Sequence, residues 1–323
     1  MDLKQGAVAS RLRLSEQTNM TDIQILMGVC DGADYLPDQL RSLSDQGHEA
    51  WRLLVSDDSR DDRSREVIDG FKEHAAQEVR LAEGPGRGFA ANYMALIAQS
   101  EPGMLAFADQ DDVWMPDKLA RAASALSGVR GDIPALYCAR VRPWDGTRRW
   151  RPTPPLARAP GFANALVENI AMGNTIVLNA RAAALARALA PRVGPVFAHD
   201  WWLYQLVSGV GGTVIHDDGA PVVLYRQHGG NAIGVGRGLA AQLRRKRAVL
   251  KGALAERLDL NTAALRAARA QLTPQNAALL DAFEAARLRR GLSGLREMSG
   301  LGLYRQRRLG TAGFFGAVTL GLV

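Results

Sequence analysis

Between residues 23 and 118 short apolar runs alternate with segments of helical period, and this alternation most constrains the fold. Residues 23–29, 51–55, 79–82 and 105–108 read as strands. Residues 35–43, 66–74 and 89–99 between them read as helices, the first with Leu36, Leu40 and Leu43 at helical spacing. Such alternation predicts an α/β domain, a mostly parallel sheet covered by helices. In sheets of this kind ligands collect at the carboxyl ends of the strands. Two acidic clusters fall there: Asp57 with Asp58 after the second strand, and Asp109, Asp111 and Asp112 after the fourth.

The second cluster is chemically the more telling. Three carboxylates at one strand end repel one another unless a cation neutralises them. Hard divalent ions such as Mg²⁺ or Mn²⁺ take oxygen ligands, often one or two carboxylates plus substrate phosphates. Pro116 then opens the next helix at its first turn. Taken alone, the segment also reads as a solvated acidic turn.

Composition narrows the setting. The 323 residues suffice for one large domain or a domain with an appendage, and 47% apolar with 23% charged residues is ordinary for a globular chain. Cys30 and Cys138 have no His or Cys neighbours at zinc spacing, which suggests a reducing compartment. Residues 1–21 carry mixed charge and no apolar run, so they are expected to form a poorly ordered extension, not a signal peptide. No stretch of 18 uncharged apolar residues occurs, so no conventional spanning helix is expected.

The net charge of +7 is unevenly held: 24 Lys+Arg face 28 Asp+Glu through Gly236, whereas 16 face 5 from Arg237 onward. The chain therefore divides into an N-terminal extension (1–21), an α/β domain (22–236) and a basic helical C-terminal extension (237–323). The last begins near Arg244-Arg245-Lys246-Arg247 and is broken at Pro274. It is expected either to cover the domain or to touch an anionic surface such as a membrane. Residues 309–323, glycine-rich and without charge, fit an interfacial segment or a packed helix end. Aromatic residues in the extension (Phe283, Tyr304, Phe314, Phe315) are too sparse for a nucleic-acid surface.

Further along, residues 143–160 read as a Pro/Arg-rich loop or lid and 173–178 as a strand. An alanine-rich helix is expected near 180–190, a helix at 199–207 with Asp200 near its start, and a short strand at 222–225. Gly86-Arg87-Gly88-Phe89-Ala90-Ala91 imitates a dinucleotide fingerprint. It follows the third strand and not the first, so a loop leading to Asn92 is the simpler reading.

The order of motifs resembles glycosyltransferase family 2, in its rhamnosyltransferase-like form. Ile25-Leu26-Met27-Gly28-Val29-Cys30-Asp31-Gly32 with Tyr35-Leu36 is similar to the family's opening strand and helix. Ser56-Asp57-Asp58-Ser59 with Asp61 resembles its second strand-end motif, and Asp109-Gln110-Asp111-Asp112-Val113-Trp114 its metal-binding DXD segment. His199-Asp200-Trp201-Trp202 resembles the segment with the catalytic base, and Tyr225-Arg226-Gln227-His228-Gly229-Gly230-Asn231 the closing motif. The resemblance covers residues 22–236. It departs from the family where Cys30-Asp31 stands in place of Tyr-Asn and where Ser59-Arg60-Asp61-Asp62 interrupts the second motif.

The resemblance implies a GT-A fold and an inverting transfer from a nucleotide-diphospho-sugar, either dTDP-rhamnose or a UDP-sugar. The acceptor would be a hydroxyl of a glycan or lipid-linked glycan in surface polysaccharide synthesis. It assigns Asp200 as general base; Asp31, Asp57, Asp58, Asn92, Asp109 and Arg226 to the nucleotide and donor; and Asp109, Asp111 and His228 to Mg²⁺ or Mn²⁺. Asp112, Asn174 and Trp201 would touch the sugar or acceptor. Each has a plainer reading: Asp200 as a helix cap, Trp201 as core, Asn174 as a turn cap, His228 as an ordinary surface or core histidine. The expected location is cytoplasmic, peripheral at the inner face of the plasma membrane, with no nucleic-acid partner.

Two other functions share some of these features. A nucleotidyltransferase would use the same sheet, acids and metal, but would carry a basic residue in its first Gly-rich loop, and residues 28–32 have none. A non-catalytic membrane-surface module would account for the basic tail but not for acids at strand ends.

Overall fold

The computed structural model describes residues 22–228, 252–289 and 291–323. Residues 1–21, Gly229-Gly230-Asn231, the Arg244–Arg247 basic run and the 236/237 boundary lie outside the described residues.

Chain order begins β1 (Ile23–Val29), α1 (Leu36–Ser44), β2 (Trp51–Asp57), α2 (Arg63–Lys72), β3 (Val79–Glu83), α3 (Phe89–Gln99), β4 (Met104–Asp109). It continues with β5 (Val113–Trp114), α4 (Lys118–Ser127), β6 (Ala135–Ala139), β7 (Val141–Trp144), a single turn α5 (Phe162–Ala165), β8 (Val177–Leu178), α6 (Ala180–Leu189), α7 (His199–Gly209), β9 (Thr213–Asp217) and β10 (Val223–Arg226). Four further helices follow: α8 (Ala253–Ala267), α9 (Pro274–Leu288), α10 (Gly291–Ser299) and α11 (Arg308–Thr319).

Seven strands form one sheet in the order β3-β2-β1-β4-β8-β6-β9, and β5-β10-β7 form a smaller one. In the larger sheet β1 pairs in parallel with β2 and β4, β2 with β3, and β6 with β9, and among its described strands only the two-residue β8 runs antiparallel to its neighbours. In the smaller, β10 pairs antiparallel with β5 and parallel with β7. The expected α/β, mostly parallel architecture is what the chain adopts. Strand order turns between β1 and β4, because β2 and β3 extend one way and β4 begins the other half. A crevice at that point, outside the carboxyl ends, is where such sheets take ligands.

The sheet is buried on both faces, which explains the near-continuous apolar strands. Ile23, Ile25, Met27 and Val29 of β1, with Ala106 and Ala108 of β4, meet Leu36, Leu40 and Leu43 of α1 and Leu119 of α4. The alternate residues Leu26, Leu105 and Phe107 meet Tyr93, Leu96 and Ile97 of α3 and Trp202, Leu203 and Leu206 of α7. This is the period-two division of a pleated strand. A third cluster joins Phe162, Leu166, Val167 and Trp201 to Leu258, Leu265, Leu280, Phe283, Met298, Phe314 and Val318 of the C-terminal helices. The extension therefore packs on the α/β domain, and α11 is a packed helix with Phe314 and Val318 buried.

Local signals set several boundaries. Asn179 caps α6 by accepting from Ala182 N at 2.9 Å. Thr273 caps α9 by accepting from Asn276 N at 3.2 Å, with Pro274 at the first helical position. Two expectations need correction. The strand expected at 173–178 is a 3₁₀ turn, Gly173–Thr175, followed by the short β8. Residues 143 and 144 belong to β7, so the loop starts two residues later than expected.

Candidate active site

Register places the acids. Gly28 pairs with Asp109 across β1 and β4, and Val29 with Asp57 across β1 and β2, so the three strand ends share one edge. Above that edge lies a cavity of about 1360 Å³. Its walls include Gly28, Asp58, Asn92, Asp109, Asp111, Asn174, Asp200, Trp201 and His228, contributed by well-separated parts of the chain. Its other side is formed by Leu254, Arg257, Arg305, Phe314, Ala317 and Leu320 of the C-terminal helices.

The carboxylates at the floor are held firmly and incompletely compensated. Asp109 ends β4, and its Oδ1 lies 2.8 Å from the Tyr93 hydroxyl, which also reaches Ala108 O at 2.6 Å. Burial, then the neighbouring Asp111 charge, pushes Asp109 up to about 7, and the Asp200 charge adds to the rise. His228 Nε2 meets Asp111 Oδ2 at 2.6 Å, while its ring stacks on Tyr35 with centroids 4.7 Å apart. No three His, Cys, Asp or Glu side chains among the described residues enclose a metal ion by themselves. Two carboxylates opening on one cavity still fit the Mg²⁺ pattern of one or two protein carboxylates, completed by water and substrate phosphates.

Asp200 is the second residue of α7 and does not cap it; its Oδ1 accepts from Trp201 N at 2.6 Å. Burial pushes it up to about 6, opposed by hydrogen bonds from the Trp201 and Gly173 N–H groups and the Asn169 side chain. A carboxylate raised in this way is a stronger proton acceptor than an ordinary aspartate. Trp201 is buried, with its Nε1 donating to Ala165 O at 2.7 Å, and is among the residues lining the cavity.

Four of the expected contacts are not among the residues that line the cavity. The Asp31 carboxylate is taken by Arg60, whose N reaches Oδ1 at 3.0 Å and Nε reaches Oδ2 at 2.9 Å, so it braces a turn at a left-handed φ of +49°. Asp57 accepts from Ser59 N at 2.9 Å in its own turn. Asp112 is fully buried, accepting from Asn174 Nδ2 and, at 2.9 Å, from Arg226 N. Arg226 donates to Asp111 O and to Asp38 Oδ2, each at 2.7 Å, and so clamps the 109–112 turn to α1. Through these bonds the four brace the loops that carry the site. Asp58 differs: it lines the cavity, and its Oδ1 accepts from Gly86 N at 2.6 Å, fastening the glycine loop beside it.

The structure adds residues that the sequence pattern did not single out. Gln110 ties the β4 end to Cys30, Tyr93 supports Asp109, and His199 lies on the wall between Tyr93 and Gly173. His199 was visible only as part of a motif, and the cavity wall from residues 254–322 had no local signal.

Residues 25–188 match the family model for glycosyl transferase family 2. The chain belongs to that family. Among curated proteins it is similar to TuaG of Bacillus subtilis, a glycosyltransferase named for teichuronic acid biosynthesis, 29% identical over 31% of this chain and 39% of that protein. An uncharacterised glycosyltransferase of a Nostoc species is 31% identical over 31% of each chain. The chain thus spans well under half the length of these relatives. The dTDP-rhamnosyl transferase RfbG of Shigella flexneri is 23% identical over 68% of this chain and 77% of that protein. Among solved structures, S. aureus TarS 1–349 in complex with UDP superposes with a TM-score of 0.54 at 11% identity, over 93% of this chain and 88% of that one. The complex with UDP-GlcNAc gives 0.52 at 12% identity, over 87% and 90%. The fold is thereby that of GT-A transferases.

Proposed function

We propose that this chain is an inverting, metal-dependent glycosyltransferase that moves a sugar from a nucleotide-diphospho-sugar to a hydroxyl of a glycan or lipid-linked glycan. One observation carries the reading: Asp109 and Asp111, from the sheet edge, and Asp200, from α7, open on the same cavity. Separated roles follow from separated environments. Asp200, raised to about 6, takes the acceptor proton as the oxygen attacks the anomeric carbon. Attack from the face opposite the diphosphate inverts that carbon, and one carboxylate base suffices.

Asp109 and Asp111 would hold Mg²⁺ or Mn²⁺, with His228 beside Asp111. The ion, when bound, neutralises charge developing on the diphosphate leaving group. Asp58 and Asn92 line the nucleotide side. The apolar side, with Trp201, Phe314 and Leu320, suits the acceptor, and Arg257 and Arg305 stand there to meet an anionic group. RfbG and TuaG, by their names, support rhamnose as the sugar and surface polysaccharide as the product class.

The extension also favours an anionic membrane surface. Leu288, Leu292 and Leu309 are exposed there, close in sequence to Arg289, Arg307 and Arg308. No helix among the described residues is long and apolar enough to cross a membrane. The reading is tested by calorimetric titration with dTDP and UDP, with Mn²⁺ or chelator, beside Asp111→Ala. Metal-dependent binding lost in the variant supports it; a folded protein that binds neither nucleotide refutes a dTDP- or UDP-sugar donor and leaves another nucleotide or a lipid-phosphate donor.

A further inference from the structure

The cavity holds about 1360 Å³, above the roughly 300–1,000 Å³ of pockets that take one small molecule, so there is room for a second substrate beside the nucleotide-sugar. Its two sides differ in chemistry. The acids stand at the sheet edge, whereas Leu254, Phe314, Ala317, Leu320 and Leu322 come from the C-terminal helices. This apolar side lies beyond residues 25–188, the part that the family model matches. Sugar hydroxyls and phosphates gain nothing from such a surface; a hydrocarbon chain does.

One cation stands where the apolar side meets the base. The Arg257 guanidinium lies 4.5 Å from the centre of the Phe197 ring, and Phe197 meets Trp201 edge-on with centroids 6.1 Å apart. Trp201 follows Asp200 and donates its backbone N–H to Asp200 Oδ1 at 2.6 Å. Arg257 and Asp200 thus line one cavity with two aromatic rings between them, the kind of surface on which a sugar ring packs. Arg257 is exposed, and no carboxylate among the described residues pairs with it. Arg305, also on the cavity wall, is engaged, with its Nε 3.4 Å from Glu168 Oε1. A guanidinium resting on a ring keeps its N–H donors in its own plane, and that fork matches phosphate.

The helix α11 leaves space beside these groups. Gly313 and Gly316 line the cavity, and a Cβ at either would meet nothing within 4 Å. Gly313, Ala317 and Leu320 follow one another along one helix face. Ala317 is buried, whereas Leu320 is 70% exposed, so that face runs from the cavity interior to solvent.

We propose that the acceptor is a sugar carried through a phosphate ester on a lipid. Its sugar lies over Phe197 and Trp201, its phosphate on Arg257 and its hydrocarbon chain along α11. This rests on the transferase reading and commits it to one acceptor class. In the transfer the acceptor oxygen bonds the anomeric carbon and its proton passes to Asp200. The bond from that carbon to the donor diphosphate breaks, and its electron pair leaves on the nucleoside diphosphate. A soluble glycan without phosphate would use neither Arg257 nor the apolar side.

The test is calorimetric titration of the full chain with farnesyl phosphate, farnesol and inorganic phosphate, in chelator so that no metal holds the phosphate. UDP and dTDP with Mn²⁺ are titrated separately and read the donor site. Farnesyl phosphate is expected to bind at least about tenfold more tightly than either half alone, because its two halves are joined. Arg257→Gln should weaken farnesyl phosphate about tenfold, a charge-assisted hydrogen bond's worth, and leave farnesol and both nucleotides within about twofold. Arg257→Lys should recover part of that loss. Gly313→Leu fills open space on the helix, so it should weaken farnesyl phosphate and farnesol alike while the melting temperature holds. Farnesyl phosphate bound no more tightly than inorganic phosphate, or equally by wild type and Arg257→Gln, overturns the proposal and leaves the transferase reading standing. Nucleotide binding lost in Arg257→Gln would put this arginine on the donor and overturns it as well. Because the lipid probe needs no metal, its failure is distinct from a failure of the wild type to bind nucleotide with Mn²⁺.

Discussion

The side-chain amide of Gln110 pairs with both polar atoms of the Cys30 residue, Oε1 accepting from its N–H at 2.8 Å and Nε2 donating to its carbonyl at 3.0 Å. This bidentate tie joins the ends of β4 and β1 across the crevice, and Gly32 makes room for it: a Cβ there would stand 2.1 Å from Gln110 Oε1. Gln110→Ala should destabilise the fold by about 1–2 kcal/mol and loosen the acidic turn. Denaturant titration reads the first effect and nucleotide affinity the second. A variant that changes neither would show the tie to be incidental.

Asp200→Asn keeps the shape and removes the base. Transfer should fall by roughly 10² or more while nucleoside diphosphate binding is retained. In wild type the rate should rise between pH 5 and 7, because a carboxyl held at about 6 must lose its proton before it can accept one. The stability effect has the opposite sign. A carboxyl raised above its ordinary value penalises the fold once ionised, so Asp200→Asn should raise the melting temperature at pH 8 and leave it little changed at pH 4. Melting curves at the two pH values separate this from a general packing effect.

Metal dependence should reside in the β4 end. Asp111→Ala removes a carboxylate and the partner of His228, and should lower Mn²⁺-dependent nucleotide affinity by at least about tenfold. The chelator-insensitive remainder should be unaffected. Equal loss with and without metal would mean that the variant damages the pocket itself.

The C-terminal helices are held by a few large side chains. Phe283→Ala or Leu280→Ala, each fully buried in the shared cluster, should cost about 3 kcal/mol. Because that cluster includes Trp201, next to Asp200, acceptor-dependent turnover should fall more than nucleotide binding.

Arg307 and Arg308 are exposed at the start of α11 beside the exposed Leu309. Replacing both by Glu should weaken binding to vesicles of anionic lipid by more than tenfold, at about 1 kcal/mol for each arginine removed. Binding to neutral vesicles should be weak in both proteins. Equal affinity of the wild type for anionic and neutral vesicles at low salt would refute a membrane role for the extension.

The α/β alternation, the acids at strand ends and the helix bearing Asp200 were legible in the sequence because they are local. Strands buried on both faces read as apolar runs, and polar turns must follow them. Short elements were read poorly: β5, two residues long, has no period to detect, and β8 was expected four residues too early, since both exist through their partners. Single residues were read unevenly for a related reason. Asp109, Asp111 and Asp200 line the cavity, whereas Asp31 pairs with Arg60 at the surface and Asp57 and Asp112 bond to Ser59 and Asn174. A sequence gives the positions of carboxylates but not which of them find neighbours that satisfy them.

By itself, then, the sequence determined the class of fold, the strand edge on which chemistry would gather and the family to which the chain belongs. Tertiary structure decided which of the acids stay free, and it brought residues 254–322 back over the sheet to close the cavity opposite Asp109. It also left His199 buried with unpaired nitrogens between Tyr93 and Gly173. The physical reason is range. Hydrophobic period and turn chemistry act over a few residues, whereas hydrogen-bond satisfaction and cavity shape depend on partners tens to hundreds of residues away.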